Sequence, residues 1–90
     1  MSDRAEVWVV DDDRSIRWVL ERALTQAGID NQTFSDGNEL LEKISVEQPS
    51  VVVSDIRMPG LDGIELLSKL NASYPNLPVI ITTAHSDLDS

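Results

Sequence analysis

The apolar positions of the chain follow two different periods in turn. A short β-favouring run at 5–10 leads into Asp11-Asp12-Asp13. After it, the apolar residues return at helical spacing, at Ile16, Val19, Leu20, Ala23, Leu24 and Ala27. Gly28 follows at the position where a left-handed residue commonly ends a helix. The pattern predicts a first strand at 5–10 and an amphipathic helix that ends at Gly28.

The same alternation continues along the rest of the sequence. A weaker strand is predicted at 29–34 and two continuous aliphatic strands at 51–55 and 79–83. Asp36-Gly-Asn-Glu39 and Asp62-Gly-Ile-Glu65 have the spacing of a capping box and predict two helices that end before Pro49 and Pro75. Ser86-Asp-Leu-Asp89 predicts the cap of a fourth helix.

The predicted order β-α-β-α-β-α-β indicates the fold class. Strands made of continuous aliphatic residues are buried on both faces, as in a parallel sheet with helices on each side. Right-handed crossovers then favour a doubly wound α/β domain. The sequence shows no internal repeat and no linker, so one domain over 1–90 is expected.

Composition excludes several kinds of protein. The chain has 90 residues, 41% of them apolar, and a net charge of −9, which argues against nucleic acid or an anionic membrane as a direct partner. The absence of cysteine removes disulfides, thiol catalysis and structural zinc clusters. No apolar run approaches the about 18–20 residues of a membrane span, and the acidic start suits no signal peptide. We expect a cytoplasmic, acidic, globular chain.

Candidate chemistry lies at the predicted carboxyl ends of the strands, where open α/β sheets bind their ligands. Asp11, Asp12 and Asp55 converge there if the first and third strands are neighbours. Clustered carboxylates repel one another, and a hard divalent cation relieves that repulsion. Oxygen ligands with room for water suit Mg²⁺, with Mn²⁺ as a substitute.

A carboxylate can also act as a nucleophile and form an aspartyl phosphate. Asp55 follows a buried strand directly, where a carboxylate is costly unless it has a partner or a role. Thr82 or Thr83 could donate a hydrogen bond to the transferred group, although only one of them can face the site, because strand side chains alternate. Asp13 and Asp62 are interpreted as helix caps. The spacing predicts a Mg²⁺-dependent phosphoacceptor or phosphotransfer site.

Three motifs carry a family resemblance. Residues 9–13, 54–63 and 80–84 resemble the receiver domain of two-component response regulators, over essentially the whole chain. The wider strings 7–24 and 83–89 are similar to receivers of the nitrogen regulators that activate sigma-54-dependent transcription. The resemblance implies a flavodoxin-like sheet with strand order 2-1-3-4. It also implies a regulatory domain rather than an enzyme, with at most self-phosphorylation and self-dephosphorylation.

The resemblance also implies roles for single residues. Asp55 would accept a phosphoryl group from a sensor histidine kinase. Asp12 would bind Mg²⁺ directly together with Asp55 and the backbone carbonyl of Arg57, and Asp11 would act mainly through ordered water. Thr83 would be the switch hydroxyl, with the small Ala84 beside it.

This sequence departs from the family pattern in one respect. A receiver has five βα units, whereas four strands are predicted here, and no lysine matches the one that follows the fifth strand in the family. The resemblance therefore implies a receiver lacking its fifth unit, with the ATPase and DNA-binding domains, which would meet DNA and RNA polymerase, outside this chain. An uncovered fourth strand would then favour self-association through its edge.

Two other functions compete with the receiver interpretation. Val-Val-Asp11-Asp-Asp13 matches the strand-Asp-x-Asp motif of haloacid dehalogenase-type phosphatases, with Asp11 as the nucleophile and Asp13 as the acid/base. A non-enzymatic acidic binding or dimerisation module is the third possibility. Trp18 is predicted on the outer face of the first helix, where it is a docking contact, covers a loop or lies flat over arginine stems. Trp8 is predicted in the core. His85 is interpreted as a solvated loop residue or a partner contact.

Overall fold

The computed structural model describes residues 5–58 and 60–82, which form seven elements in the predicted order. Their bounds are β1 Glu6–Val10, α1 Arg14–Gln26, β2 Asp30–Phe34, α2 Gly37–Ile44, β3 Val51–Asp55, α3 Gly63–Ser73 and β4 Val79–Thr82. The predicted helix cap at 86–89 and the predicted switch residue Thr83 lie outside the described residues. Among the described residues, none of the three helices has the length and apolar character of a membrane span.

The four strands form one parallel sheet in the order β2-β1-β3-β4. This confirms the strand order that the family resemblance implies. In the register, Val10 lies opposite Ser54 of β3, and Asp55 lies opposite Thr82 of β4. The carboxyl ends of β1 and β3 are therefore neighbours at one edge of the sheet.

The core fills the space between the sheet and the α2–α3 face. Trp8 is fully buried and its ring centroid lies 5.1 Å from that of Phe34, so the prediction that Trp8 belongs to the core is confirmed. The other buried members of this cluster are Val10, Leu40, Ile44, Val52, Met58, Leu66 and Leu70. Burial of these aliphatic and aromatic side chains is the main favourable contribution to the stability of the sheet.

The other face of the sheet carries α1, which contacts β1 and β2. None of the residues of α1 is fully buried, although Ile16, Leu20 and Leu24 are half-buried and form an i, i+4, i+8 row. Val19, which belongs to the predicted apolar stripe, is 54% exposed. The helix is thus amphipathic as predicted, but it buries only part of its stripe, because it lies over one side of the sheet.

The ends of the helices show how closely local sequence determines local structure. Gly28 has φ +79°, and it donates to Thr25 O at 3.0 Å while Ile29 donates to Leu24 O at 2.9 Å. These two bonds form a Schellman motif and confirm the predicted end of α1. An alanine at Gly28 would have to adopt the left-handed conformation that L-residues disfavour.

The two predicted capping boxes have different outcomes. At α3 the box is complete, because Asp62 Oδ1 accepts from Glu65 N at 2.9 Å and Glu65 Oε1 accepts from Asp62 N at 3.2 Å. At α2 only the first bond forms, from Glu39 N to Asp36 Oδ1 at 2.9 Å. Glu39 reaches past Asp36 instead and accepts from the backbone and hydroxyl of Ser35. The reciprocal half of the box predicted at α2 is therefore wrong.

Candidate functional site

Three carboxylates meet where β1 and β3 end. Asp11, Asp12 and Asp55 each offer one carboxylate oxygen, and these oxygens lie within 4.8 Å of one another. Asp11 is 2% exposed and Asp55 1% exposed, whereas Asp12 is open to solvent. The structure thus brings together the three aspartates that the strand-end argument selects.

Asp11 is anchored from several sides. Its backbone N–H donates to Phe34 O at 3.1 Å, which continues the pairing of β1 with β2. Its Oδ1 accepts from Asp13 N at 2.8 Å and closes a tight turn around Asp12. This turn directs the chain from the sheet into α1 and leaves Asp12 at the open side of the cluster.

Asp13 acts as the cap of α1, as predicted. Its Oδ1 accepts from Ser15 N at 2.8 Å and from Ile16 N at 3.3 Å. A carboxylate at this position satisfies helix N–H groups and complements the helix dipole. In this structure Asp13 has a structural role as a helix cap. The phosphatase interpretation requires it to act as an acid/base instead.

One residue at the site was not predicted from the sequence. Arg17, on the first turns of α1, donates from Nη1 to the backbone oxygen of Asp11 at 2.7 Å and is half-buried. Its backbone N–H donates to Asp13 O at 3.1 Å within the helix. The sequence signal that could have indicated it is an arginine between Ile16 and Leu20, on the side of the helix that faces the sheet.

The loop from Asp55 to Gly63 is closed by main-chain contacts. Ile56 N donates to Thr82 O at 3.0 Å, and Gly63 N donates to Ile56 O at 3.1 Å. A Cβ on Gly63 would collide with the backbone oxygen of Asp55 and would lie 2.8 Å from the Ile56 Cα. Gly63 therefore lets the first turn of α3 press directly against the backbone that carries Asp55, a role that the motif alone did not reveal.

Two hydroxyl side chains lie on the strands beside Asp55. Ser54 is buried and its Oγ donates to Asp55 O at 3.0 Å. Thr82 is half-buried and its Oγ1 donates to Ser54 O at 3.4 Å. Thr82 thus contacts the main chain of β3, while Thr83, the alternative hydroxyl, lies outside the described residues together with Ala84 and His85.

The acidic cluster opens onto a shallow cleft. This cleft is lined by Asp12, Ile56, Arg57, Met58 and Asp62. The cluster beside it offers hard carboxylate oxygens, two of them in buried residues and one in the exposed Asp12, and the cleft is open to water. Such a donor set fits a hard divalent cation such as Mg²⁺, which keeps several waters when bound.

Trp18 lies on the outer face of α1, away from the acidic cluster. It is 58% exposed, and the guanidinium carbon of Arg22 lies 4.9 Å from the centroid of its ring. The stacking agrees with the interpretation that Trp18 covers an arginine, and it is a cation–π contact of modest strength at an exposed site. The docking role of Trp18 stays a prediction.

Comparison with known proteins identifies the family. Residues 7–90 match the model of the response regulator receiver domain. The chain is 59% identical over 87 residues to the DNA-binding transcriptional regulator NtrC of Klebsiella pneumoniae and 60% identical over 87 residues to NtrC of Escherichia coli K12. The match covers 97% of this chain in both cases and 19% of each relative, so the chain spans about a fifth of their length.

Solved structures agree with this result at the level of the fold. The apo receiver domain of nitrogen regulatory protein C has a TM-score of 0.83 at 59% identity, covering 98% of this chain and 71% of that one. A response regulator receiver protein from Pseudomonas putida has a TM-score of 0.87 at 25% identity, covering 99% of this chain and 75% of that one. With the parallel sheet, the strand order and the motif that surrounds Asp55, these matches show that the chain belongs to the response regulator receiver domain family.

Proposed function

We propose that this chain is a phosphoacceptor in which Asp55 takes a phosphoryl group from a sensor histidine kinase. The observation that carries the proposal is the position of the Asp55 carboxylate, 1% exposed at the end of β3 and within 4.8 Å of two further carboxylates. Burying like charges together is unfavourable for stability alone, which makes such a cluster a candidate functional site.

The similar receivers support the same chemistry. A solved structure of the NtrC receiver domain, 59% identical to this chain, is of the beryllofluoride-activated form. A second, 60% identical, is described as a transiently phosphorylated switch in bacterial signal transduction. Carried over to this chain, these descriptions favour reversible phosphorylation at the acidic cluster.

The proposed step is a nucleophilic substitution at phosphorus. A carboxylate oxygen of Asp55 forms a bond to the phosphorus of a phosphohistidine, and the bond from phosphorus to the imidazole nitrogen breaks. The electron pair of the broken bond stays on the imidazole, and Asp55 becomes a mixed anhydride. The main-chain contacts of Ile56 and Gly63 hold the backbone of Asp55 during this exchange.

We further propose that Asp12, Asp55 and the backbone carbonyl of Arg57 hold Mg²⁺, with Asp11 bound through ordered water. Oδ1 of Asp11 already accepts the Asp13 N–H, which supports an indirect part for Asp11. When bound, Mg²⁺ would offset the negative charge of the phosphoryl oxygens. Arg57 lines the same cleft as Asp12, which supports its place in the proposed set of ligands.

The output of the receiver is proposed from the relatives. NtrC is a DNA-binding transcriptional regulator, and this chain covers 19% of it. We therefore propose that phosphorylation of Asp55 switches a cytoplasmic sigma-54-type transcription activator that binds DNA and RNA polymerase through other domains. Thr83 is the proposed switch hydroxyl.

The proposal is tested by phosphorylating the protein with acetyl phosphate and Mg²⁺ and measuring the intact mass. We expect one hydroxylamine-labile phosphoryl group on the wild type, none on Asp55→Asn, and a reduced amount on Asp11→Asn. Equal labelling of the wild type and Asp55→Asn would contradict the proposal. Loss of labelling in Asp11→Asn with full labelling of Asp55→Asn would instead identify Asp11 as the nucleophile, as in the phosphatase alternative.

A further inference from the structure

We infer that Arg17 is a positioning residue for the acidic cluster, an inference that rests on the proposed function of that cluster. Arg17 is not one of the proposed Mg²⁺ ligands. It lies on α1, and its half-buried guanidinium reaches back from Nη1 to the backbone oxygen of Asp11 at 2.7 Å. This bond joins the helix to the turn that carries Asp12.

The bonded atom explains why Arg17 affects Asp12. The backbone oxygen of Asp11 belongs to the peptide unit that links Asp11 to Asp12, and a peptide unit is planar. Fixing this oxygen therefore fixes the direction in which the chain enters Asp12. On either side of that peptide unit, the Asp11 N–H is tied to Phe34 O at 3.1 Å and the Asp13 N–H to Asp11 Oδ1 at 2.8 Å.

Arg17 supplies a side-chain contact from α1 to the peptide unit before Asp12, whereas the backbone N–H groups at the start of α1 bond to Asp13. A guanidinium forms a charge-assisted bond to its acceptor and holds its geometry better than a lysine ammonium, because its donors are planar and preorganised. With the bond in place, the exposed Asp12 carboxylate stays within 4.8 Å of the buried Asp55 carboxylate. Without it, the peptide unit before Asp12 loses its tie to α1 and can shift Asp12 relative to Asp55.

Charge and position predict opposite effects when Arg17 is removed. If Arg17 acted only through its charge, its loss would make the site more negative and Mg²⁺ would bind more tightly. If Arg17 acts by positioning Asp12, its loss weakens Mg²⁺ binding. The sign of the change in affinity therefore separates the two roles.

The experiment is a calorimetric titration of Mg²⁺ into the protein and its variants. Asp12→Ala gives the baseline for Mg²⁺ binding outside the acidic cluster. We expect Arg17→Met to weaken Mg²⁺ binding about tenfold, as is typical when a residue that orients a metal ligand is lost. Arg17→Lys keeps the charge and N–H donors but loses the planar guanidinium, so we expect an intermediate loss. The matched control is Arg14→Met, which removes an exposed arginine from the start of the same helix and should leave the affinity unchanged or slightly tighter.

The possible outcomes separate a failure of this inference from a failure of the proposed function. Wild-type or tighter Mg²⁺ binding by Arg17→Met overturns the positioning role. If Arg17→Met does not fold in the absence of metal, Arg17→Lys decides, because it retains the charge: weaker binding at an unchanged metal-free melting temperature supports the inference, and wild-type binding overturns it. If the wild type binds no more Mg²⁺ than Asp12→Ala, it is the proposed metal site that fails.

Discussion

The three carboxylates of the site differ in their exposure to solvent. Asp11 and Asp55 are almost completely buried, whereas Asp12 is exposed and lines the open cleft. A cation arriving from solvent therefore meets Asp12 first. Because Asp12 contributes negative charge to a crowded cluster and little to the core, its proposed role in metal binding and its effect on stability can be separated by mutation.

We expect Asp12→Ala to lower the affinity for Mg²⁺ at least about tenfold, because it removes one of the proposed ligands. The free energy of unfolding without metal should change by less than about 0.5 kcal/mol, as for other surface positions. Calorimetry measures the first quantity and urea unfolding without Mg²⁺ the second. Glu21→Ala, which removes an exposed charge from the outer face of α1, is the control and should change neither. An unchanged Mg²⁺ affinity in Asp12→Ala would contradict the assignment of Asp12 as a ligand.

The sequence could predict which aspartates meet, but it could not predict what holds them. The clustering of Asp11, Asp12 and Asp55 follows from a general rule, that the carboxyl ends of neighbouring parallel strands share one edge. The bond from Arg17 to Asp11 O depends instead on the path of one long side chain across six residues. No periodicity in the sequence encodes that path.

Among the elements, α2 and α3 begin with the same local pattern and differ in their surroundings. Each has an aspartate cap, a glycine at the first helical position and a glutamate two residues later. A Cβ on Gly37 would meet the end of a flexible side chain, Leu61 Cδ2, at 2.9 Å. A Cβ on Gly63 would meet the backbone of Asp55 and Ile56, which cannot move without shifting the site.

We therefore expect Gly63→Ala to destabilise the protein by about 1–3 kcal/mol, the usual cost of overpacking. It should also slow the phosphorylation of Asp55. The matched variant Gly37→Ala should be close to neutral, because the higher helix propensity of alanine offsets a small movement of Leu61. Urea unfolding of both variants provides the comparison. Equal losses of stability in the two variants would contradict the close contact assigned to Gly63.

The elements also show where local sequence rules are insufficient. Both capping boxes were predicted from the spacing of their residues, yet Glu39 bonds to Ser35 rather than to Asp36. The reason is that Ser35 offers a backbone N–H and a hydroxyl together, and the motif specifies only one of the competing donors. The predicted stripe of α1 is real, but its burial depends on where the helix lies over the sheet.

At the scale of the whole molecule, the two faces of the sheet are covered unequally. Among the described elements, α2 and α3 pack over the face that carries Trp8, and α1 covers the β1–β2 side of the opposite face. Ile80, on β4 at the edge of the described sheet, is 53% exposed. An apolar strand at the edge of a sheet favours pairing with another chain.

We expect the 90-residue chain by itself to self-associate through β4, so its average mass should rise with concentration. Ile80→Lys should keep it monomeric, because a charge at an edge strand opposes pairing. Val46→Lys is the control, since Val46 is 83% exposed in the loop after α2, away from this edge. Sedimentation velocity gives the mass of each variant. A wild-type chain that stays monomeric at every concentration would contradict this prediction.

The order of the four described strands was predictable because the motifs resemble a family with one known topology. The residues alone indicated only a doubly wound sheet, since the βα order does not determine which strand lies beside β1. The uneven cover of the two faces could not be predicted from the sequence, because it depends on the position of α1 across the sheet rather than on the periodicity of α1.

The central claim is that Asp55 carries the phosphoryl group, and it is tested most directly by locating the modified residue in the wild-type protein. The phosphorylated protein is reduced with borohydride, which converts an aspartyl phosphate to homoserine, and its peptides are sequenced by mass spectrometry. We expect homoserine at Asp55 and unmodified aspartate at Asp11, Asp12 and Asp13. Homoserine at Asp11, or at no aspartate of the cluster, would contradict the account.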